Sequence, residues 1–262
     1  MTPEDDQRTK LAAAHMLMAL AVVTSAGILF QLAMRLPGID TPSWNTWAAL
    51  GFSVGITAGL LVGAWWLVPK ELMALRVVGA RVTRSIGLTT PQLPGVNDRQ
   101  RAAVGLVLLL TFTILLDSAG TRLVTDVFSS NLPLIALHDD WRYLAIKDAP
   151  PISVVFMSLL SAPVAEEVFF RGLPLALLTL VWATPRLHRW QPLVSTGIVL
   201  VGVTAFAWHH EPSGALNIAT AAWSGSLYIA TAMLTRSLWI PVAAHFVHNL
   251  LVFAQWLDWW QM

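Results

Sequence analysis

Apolar residues fall in long blocks along this chain, with short polar interruptions between them. The blocks predict seven membrane-crossing helices, at about 11–34, 46–68, 102–118, 151–183, 193–210, 214–234 and 238–257. Most reach the roughly 20 residues that a bilayer requires. The third and fifth lie near the lower limit. The fourth is longer than needed and is expected to tilt or project. Pro163 and Pro174 stand inside it and are expected to kink it. Residues 70–88 (KELMALRVVGARVTRSIGL) interleave Lys70, Arg76, Arg81 and Arg84 with apolar residues at helical spacing, which reads as an amphipathic helix on the membrane surface. Residues 89–100 read as a Pro/Gly/Asn/Asp loop. Residues 119–150 read as polar and irregular, with LVTDVFSSNLPLIAL among them a candidate for a short eighth or re-entrant span.

Composition fixes the class. Of the 262 residues 56% are hydrophobic and 12% charged, against about 25% charged in an average soluble domain. Mean hydropathy is +0.63. The expected fold is all-α: a polytopic transmembrane bundle of about seven to eight spans with an amphipathic surface helix. A net charge of +1 gives no basic surplus for nucleic acid. With no cysteine, disulfides, thiolate catalysis and Cys-ligated metals are excluded. The run Leu11–Met34 is too long for a signal-peptide core and lacks a clear cleavage site, so it reads as a retained first helix. Trp44, Trp47, Trp65, Trp66, Trp256, Trp259 and Trp260 lie near the ends of blocks, as interfacial anchors do.

Lys and Arg are distributed unevenly. The N-terminus, 69–101, 184–192 and 235–237 carry eleven, and the opposite loops carry four: Arg35, Arg122, Arg142 and Lys147. A cytoplasmic N-terminus follows from that bias, in a multi-pass protein expected at the plasma membrane. Two parts are expected: a transmembrane scaffold at 1–149, containing the amphipathic 70–88, and a chemical core at 150–262.

Three polar clusters interrupt the late apolar blocks. In EEVFFRG, Glu166 to Gly172, two carboxylates and a guanidinium stand where a charge costs roughly 2.5–3.5 kcal/mol at a helix centre. Successive helical residues turn about 100°, so Glu166 and Glu167 point different ways, while Glu167 and Arg171 are i,i+4 neighbours and can pair. That leaves Glu166 as the free carboxylate and candidate general base. In FAWHHEP, Phe206 to Pro212, either His209 or His210 can face inward. In SLWIPVAAHFVHN, His245 and Asn249 share a helix face and can offer two hydrogen-bond donors to one point, as an oxyanion requires. His248, three residues after His245, can line the same face. Asp117 reads as a helix-end charge that water can reach. Depth is the difficulty: Glu166 lies some 15 residues, or roughly 22 Å, into its block, while His210 lies near a block end, so convergence requires a tilt, a kink or thin membrane.

At these residues the chain resembles the CPBP family of membrane proteins, which includes the type II CAAX prenyl proteases and bacteriocin-processing proteins. The family carries EExxxR, FxxxH and HxxxN in this order on late transmembrane helices. Here they are Glu166-Glu167 with Arg171, Phe206 with His210, and His245 with Asn249, within about 150–257. The resemblance implies an intramembrane glutamate-dependent endopeptidase. Glu166 and His210 would activate a water, His245 and Asn249 would hold the oxyanion, and Glu167, Arg171 and Phe206 would support them. It also implies a membrane protein or lipidated peptide as substrate and no cofactor. Other readings stand beside it: a zinc protease using Glu166, His210 and His245, a non-catalytic scaffold or immunity protein of the same fold, and a transporter with Asp117 in a proton relay.

Overall fold

The computed structural model describes residues 3–33, 37, 46–67, 81–132, 139–159 and 163–259. Among these every regular element is helical. Helix α1 (Pro3–Ala33) packs lengthwise on α2 (Thr46–Leu67). Helix α3 (Arg99–Phe128) is followed by short α4 (Trp141–Ile146) and α5 (Pro151–Leu159). Helix α6 is composite, with α-helical Ala165–Glu167, π-helical Val168–Gly172 and α-helical Leu173–Ala183 in succession. Then come α7 (Gln191–His209), α8 (Ala215–Thr235) and α9 (Trp239–Trp256).

Two helical runs, Arg99–Phe128 and Leu187–His209, are long and apolar enough to cross a membrane, and Ala13–Ile28 and Ser53–Leu67 are shorter apolar stretches. Helix α3 has inverted polarity. Val104, Val107, Leu108, Phe112, Leu115 and Leu123 are exposed, while Thr113, Asp117 and Gly120 are buried. A helix facing water shows the reverse arrangement. This one turns its apolar side outward and its polar side to its neighbours.

Three sequence expectations change. The third block is not confined to 102–118: α3 starts at Arg99, where Asp98 accepts a hydrogen bond from the Arg101 N–H at 2.8 Å, and runs on through 119–128, which had read as irregular. Of the candidate re-entrant stretch, 133–138 lie outside the described residues. Along the fourth block, 151–183, the packing partners change. Helix α5 packs on α9, whereas α6 packs on α1 and α7, with 160–162 outside the described residues. The depth difference between Glu166 and the end of α7 does not keep the two apart, since His209 Nε2 lies 3.9 Å from Glu166 Oε1. The third change concerns 70–88, of which 70–80 lie outside the described residues. Residues 81–85 are helical, but Val82, Ser85 and Ile86 are buried and pack against Ala19 of α1 and Ala176 of α6. His15 meets the Ser85 hydroxyl at 3.2 Å. This end of the segment is docked into the bundle, with only Arg81 and Arg84 turned out. Among the tryptophans, Trp65 and Trp66 are exposed at the end of α2, and Trp44 and Trp260 lie outside the described residues.

Small side chains let the helices come close, as is common where lipid supplies no hydrophobic drive between them. Ala26 of α1, Ala165 of α6 and Ala232 of α8 share one core with Val23, Leu238 and Val242. A second core joins Ile146, Val154 and Met157 to Phe253 of α9. The loop after residue 86 is clasped to the α8–α9 turn. The Leu238 N–H donates to the Gly87 carbonyl at 2.8 Å, the Gln92 N–H to Thr235 at 3.0 Å, and the Ser237 hydroxyl to Thr89 at 2.6 Å.

Candidate active site

Helices α6, α7 and α9 bring the three motifs together, and α8 closes the cluster from behind. Glu166 and Glu167 open α6 and point apart, as one residue of helix requires. The Glu167 side chain is 0% exposed. Its Oε1 lies 3.2 Å from Arg171 Nη1 and accepts a 2.8 Å hydrogen bond from His245 Nδ1. Neither Nη1 nor Nη2 of Arg171 has a hydrogen-bond partner among the described residues, so its contact with Glu167 is one of charge. The π-helical turn begins at Val168, directly after this carboxylate. An inserted π-turn redirects the side chains on either side of it and recurs at functional sites.

Arg171, 1% exposed, has its second partner in an aromatic ring. Its guanidinium carbon lies 3.7 Å from the centre of the Phe206 ring and 5.6 Å from that of Tyr228. A cation over an aromatic face is attracted by the ring quadrupole, all the more when water is excluded. Gly225 makes room for this stack: a Cβ there would lie 2.8 Å from Phe206 Cδ1 and 3.5 Å from Arg171 Nη2. Phe206 thus lies at the hub of the cluster. Its ring also meets those of Phe170, His210 and His245 edge-on, at 5.4, 4.7 and 6.1 Å.

His210 ends α7. Its Nδ1–H donates to the Phe206 carbonyl at 2.9 Å, which leaves Nε2 as the acceptor nitrogen. His209 Nε2 lies 3.9 Å from Glu166 Oε1, a distance too long for a hydrogen bond. The His209 side chain is 51% exposed and its ring tilts over Phe170 at 5.5 Å. Glu166 Oε2 is buried and has no hydrogen-bond partner among the described residues. His245 is buried, with Nδ1 committed to Glu167 and its ring tilted against Tyr228 at 5.4 Å. Asn249 follows one turn later on α9 and is half-buried. Among the described residues no group of three or more His, Asp or Glu is disposed to hold a metal ion.

The structure corrects the reading of Asp117. It is not a solvated helix end: it is buried in α3, where Oδ1 accepts from the Ser224 hydroxyl at 2.5 Å and Oδ2 from Tyr228 and from His248 Nδ1, both at 2.8 Å. His248 therefore faces α3. Ser224 and Tyr228, an i,i+4 pair in an apolar block, had no place in the sequence reading. The available signal was that they are polar residues four apart in a predicted span, the spacing that had picked out Glu167 and Arg171.

Residues 148–251 match the family model described as type II CAAX prenyl endopeptidase, Rce1-like. The matched segment holds all three motifs and leaves α1–α3, with Asp117, outside it. No curated protein and no solved structure is significantly similar to the chain.

Proposed function

Taking as premise that residues 148–251 belong to the Rce1-like type II CAAX prenyl endopeptidases, we propose that the chain is an integral-membrane endopeptidase that hydrolyses peptide bonds at the Glu166 cluster. One observation carries the assignment of the base. Glu166 Oε2 is a buried carboxylate oxygen with no donor among the described residues, beside histidines whose other nitrogens are held. A water between Glu166 and His210 Nε2 gives its proton to Glu166 as its oxygen attacks the scissile carbonyl carbon. The carbonyl π electrons move onto oxygen. His245 Nε2–H and the Asn249 amide donate to that oxyanion. The C–N bond then breaks, and Glu166 returns the proton to the leaving amine.

Glu167 keeps His245 Nδ1 occupied, so Nε2 is the nitrogen left for the substrate. Arg171 balances the Glu167 charge and is itself held on Phe206. The choice of His210 over His209 rests on the FxxxH spacing and is supported by its fixed ring, whereas His209 is half exposed. The substrate is proposed to be a membrane protein or lipidated peptide. A groove of about 410 Å³ between α6 and α7, lined by Phe169, Phe170, Leu173, Pro174, Ile198 and Val201, is almost wholly apolar. Phe170, one of its lining residues, also meets the His209 ring. The N-terminus is proposed to be cytoplasmic and the site metal-free, so activity is expected to survive exhaustive chelation. Seven to eight crossings are proposed for the whole chain.

The deciding experiment compares membrane and secreted proteomes of cells carrying the wild type or Glu166→Ala at matched expression. A precursor that accumulates only in the mutant identifies a protease and its substrate together. Identical proteomes, with the physiological effect of the protein intact in the mutant, would instead indicate a non-catalytic scaffold.

A further inference from the structure

Asp117 belongs to none of the three motifs and lies outside the matched segment, yet both of its carboxylate oxygens are engaged from two other helices. We propose that Asp117 and Tyr228 are positioning residues for His245, acting through its ring neighbour and through the helix turn that carries it. The proposal rests on the reading of His245 as an oxyanion donor.

Two routes lead from Asp117 to His245. The first passes through Tyr228, whose hydroxyl is fixed on Asp117 at 2.8 Å and whose ring lies 5.4 Å from the His245 ring at an interplanar angle of 33°. The second passes through His248, held at 2.8 Å on the same carboxylate oxygen. His248 is three residues after His245 and one before Asn249, so a bond there fixes the rotation of the turn that presents both. The anchor is firm because α3 and α8 cross closely beside it. A Cβ on Gly120, one turn from Asp117, would lie 2.0 Å from Trp223 Cε2, and Trp223 precedes the Ser224 that donates to Asp117. A buried carboxylate is tolerated where every lone pair has a donor and is costly where one partner is removed. Loss of Asp117 therefore frees both neighbours of His245 at once.

The test uses the full chain in detergent micelles with ¹⁵N-labelled histidine, the His245 signals being assigned by comparison with His245→Gln. In the wild type a strongly hydrogen-bonded Nδ1 proton, shared with Glu167, is expected. In Asp117→Ala that proton signal is expected to shift and broaden while the far-ultraviolet helix signal stays unchanged. Tyr228→Phe, which keeps the ring and loses only the hydroxyl, is expected to shift it less. An unmoved His245 signal in folded Asp117→Ala overturns the proposal; should that variant fail to fold, Tyr228→Phe decides on the same criterion.

On the substrate identified with Glu166→Ala, Asp117→Ala is expected to lower kcat roughly ten- to a hundredfold with KM unchanged, as misplacement of a catalytic group does. A raised KM with unchanged kcat counts against positioning. If Glu166→Ala is as active as the wild type, the catalytic reading falls, while the His245 signal still reports whether Asp117 sets its hydrogen bond.

Discussion

Helix α9 carries two histidines that each donate Nδ1 to a buried carboxylate at 2.8 Å, and the two pairs sit in different surroundings. His245 meets Glu167, which also faces the Arg171 guanidinium, so that three charged or chargeable groups share one site. His248 meets Asp117, whose remaining donors are two neutral hydroxyls. The first pair lies within the segment that matches the Rce1-like family, and the second reaches out of it to α3. The same chemical device therefore appears in a charge-rich setting beside the proposed reacting atoms and in a hydroxyl-rich setting behind them. The difference separates a group that must deliver hydrogen bonds to a substrate from one that must only stay in place.

Substitutions can break this contrast in order of severity. Glu166→Ala is expected to have the largest effect, a loss of about 10²- to 10⁴-fold in turnover of the identified substrate, the usual contribution of a general base. Its helicity and unfolding temperature should match the wild type, because Glu166 Oε2 bonds to nothing in the protein. Arg171→Ala should instead cost both turnover and stability. It strips a buried carboxylate of its countercharge, for which a cost of about 3–5 kcal/mol is typical, and thermal unfolding in micelles measures it. A double-mutant cycle of Glu167→Gln and Asp117→Asn, read as kcat, sharpens the comparison further. Pairs that meet through His245 and Tyr228 should couple by about 0.5–3 kcal/mol, while additive losses would show the two pairs to be independent.

Phe206→Leu keeps an apolar side chain and removes the ring face under Arg171. A loss of about 1–2 kcal/mol in stability is expected, with the EExxxR side chains still in place. The smallest effect is expected at a third buried carboxylate, outside the three motifs. Asp140 caps α4, accepting from the Arg142 N–H at 2.9 Å and from its guanidinium at 2.7 Å. Burial disfavours the Asp140 carboxylate, but the Arg142 contacts and the Ser213 hydroxyl outweigh it and hold its pKa below the ordinary carboxyl value. A depressed folded-state pKa means that this stabilisation is fully present above about pH 4 and is lost as the pH falls through the lower folded value. Asp140→Ala should therefore cost about 1 kcal/mol at neutral pH and nothing in strong acid, as acid titration of the unfolding temperature would show.

Hydropathy located α2, α7, α8 and α9 to within a few residues, because each apolar block there coincides with its helix, whereas α1 begins eight residues before its block, in the charged run after Pro3. It failed on α3, where Arg122 and Asp126 continue a helix that has left the apolar run: hydropathy measures membrane thickness, not helix length. It gave no sign that α5 and α6 have different neighbours, since both are apolar and nothing local marks a change of packing partner. Spacing was enough to pair Glu167 with Arg171, which lie one turn apart. It had no purchase on Glu167 with His245 or on Asp117 with Ser224, Tyr228 and His248, which are distant in sequence and meet only when three helices pack. Asp117 read as solvated because its position along α3 was legible and the side of α3 that it occupies was not.

The clasp between residues 87–92 and 235–238 has a consequence for the order of synthesis. Its first strand of contacts belongs to a loop made early, and its second to a turn made after α8. Until that turn leaves the ribosome, the carbonyls of Gly87 and Thr89 lack these donors, and the helix that brings His245 to Glu167 does not yet exist. The clasp is thus closed by the α8–α9 hairpin, so that the proposed proteolytic centre assembles only after α9 has been made.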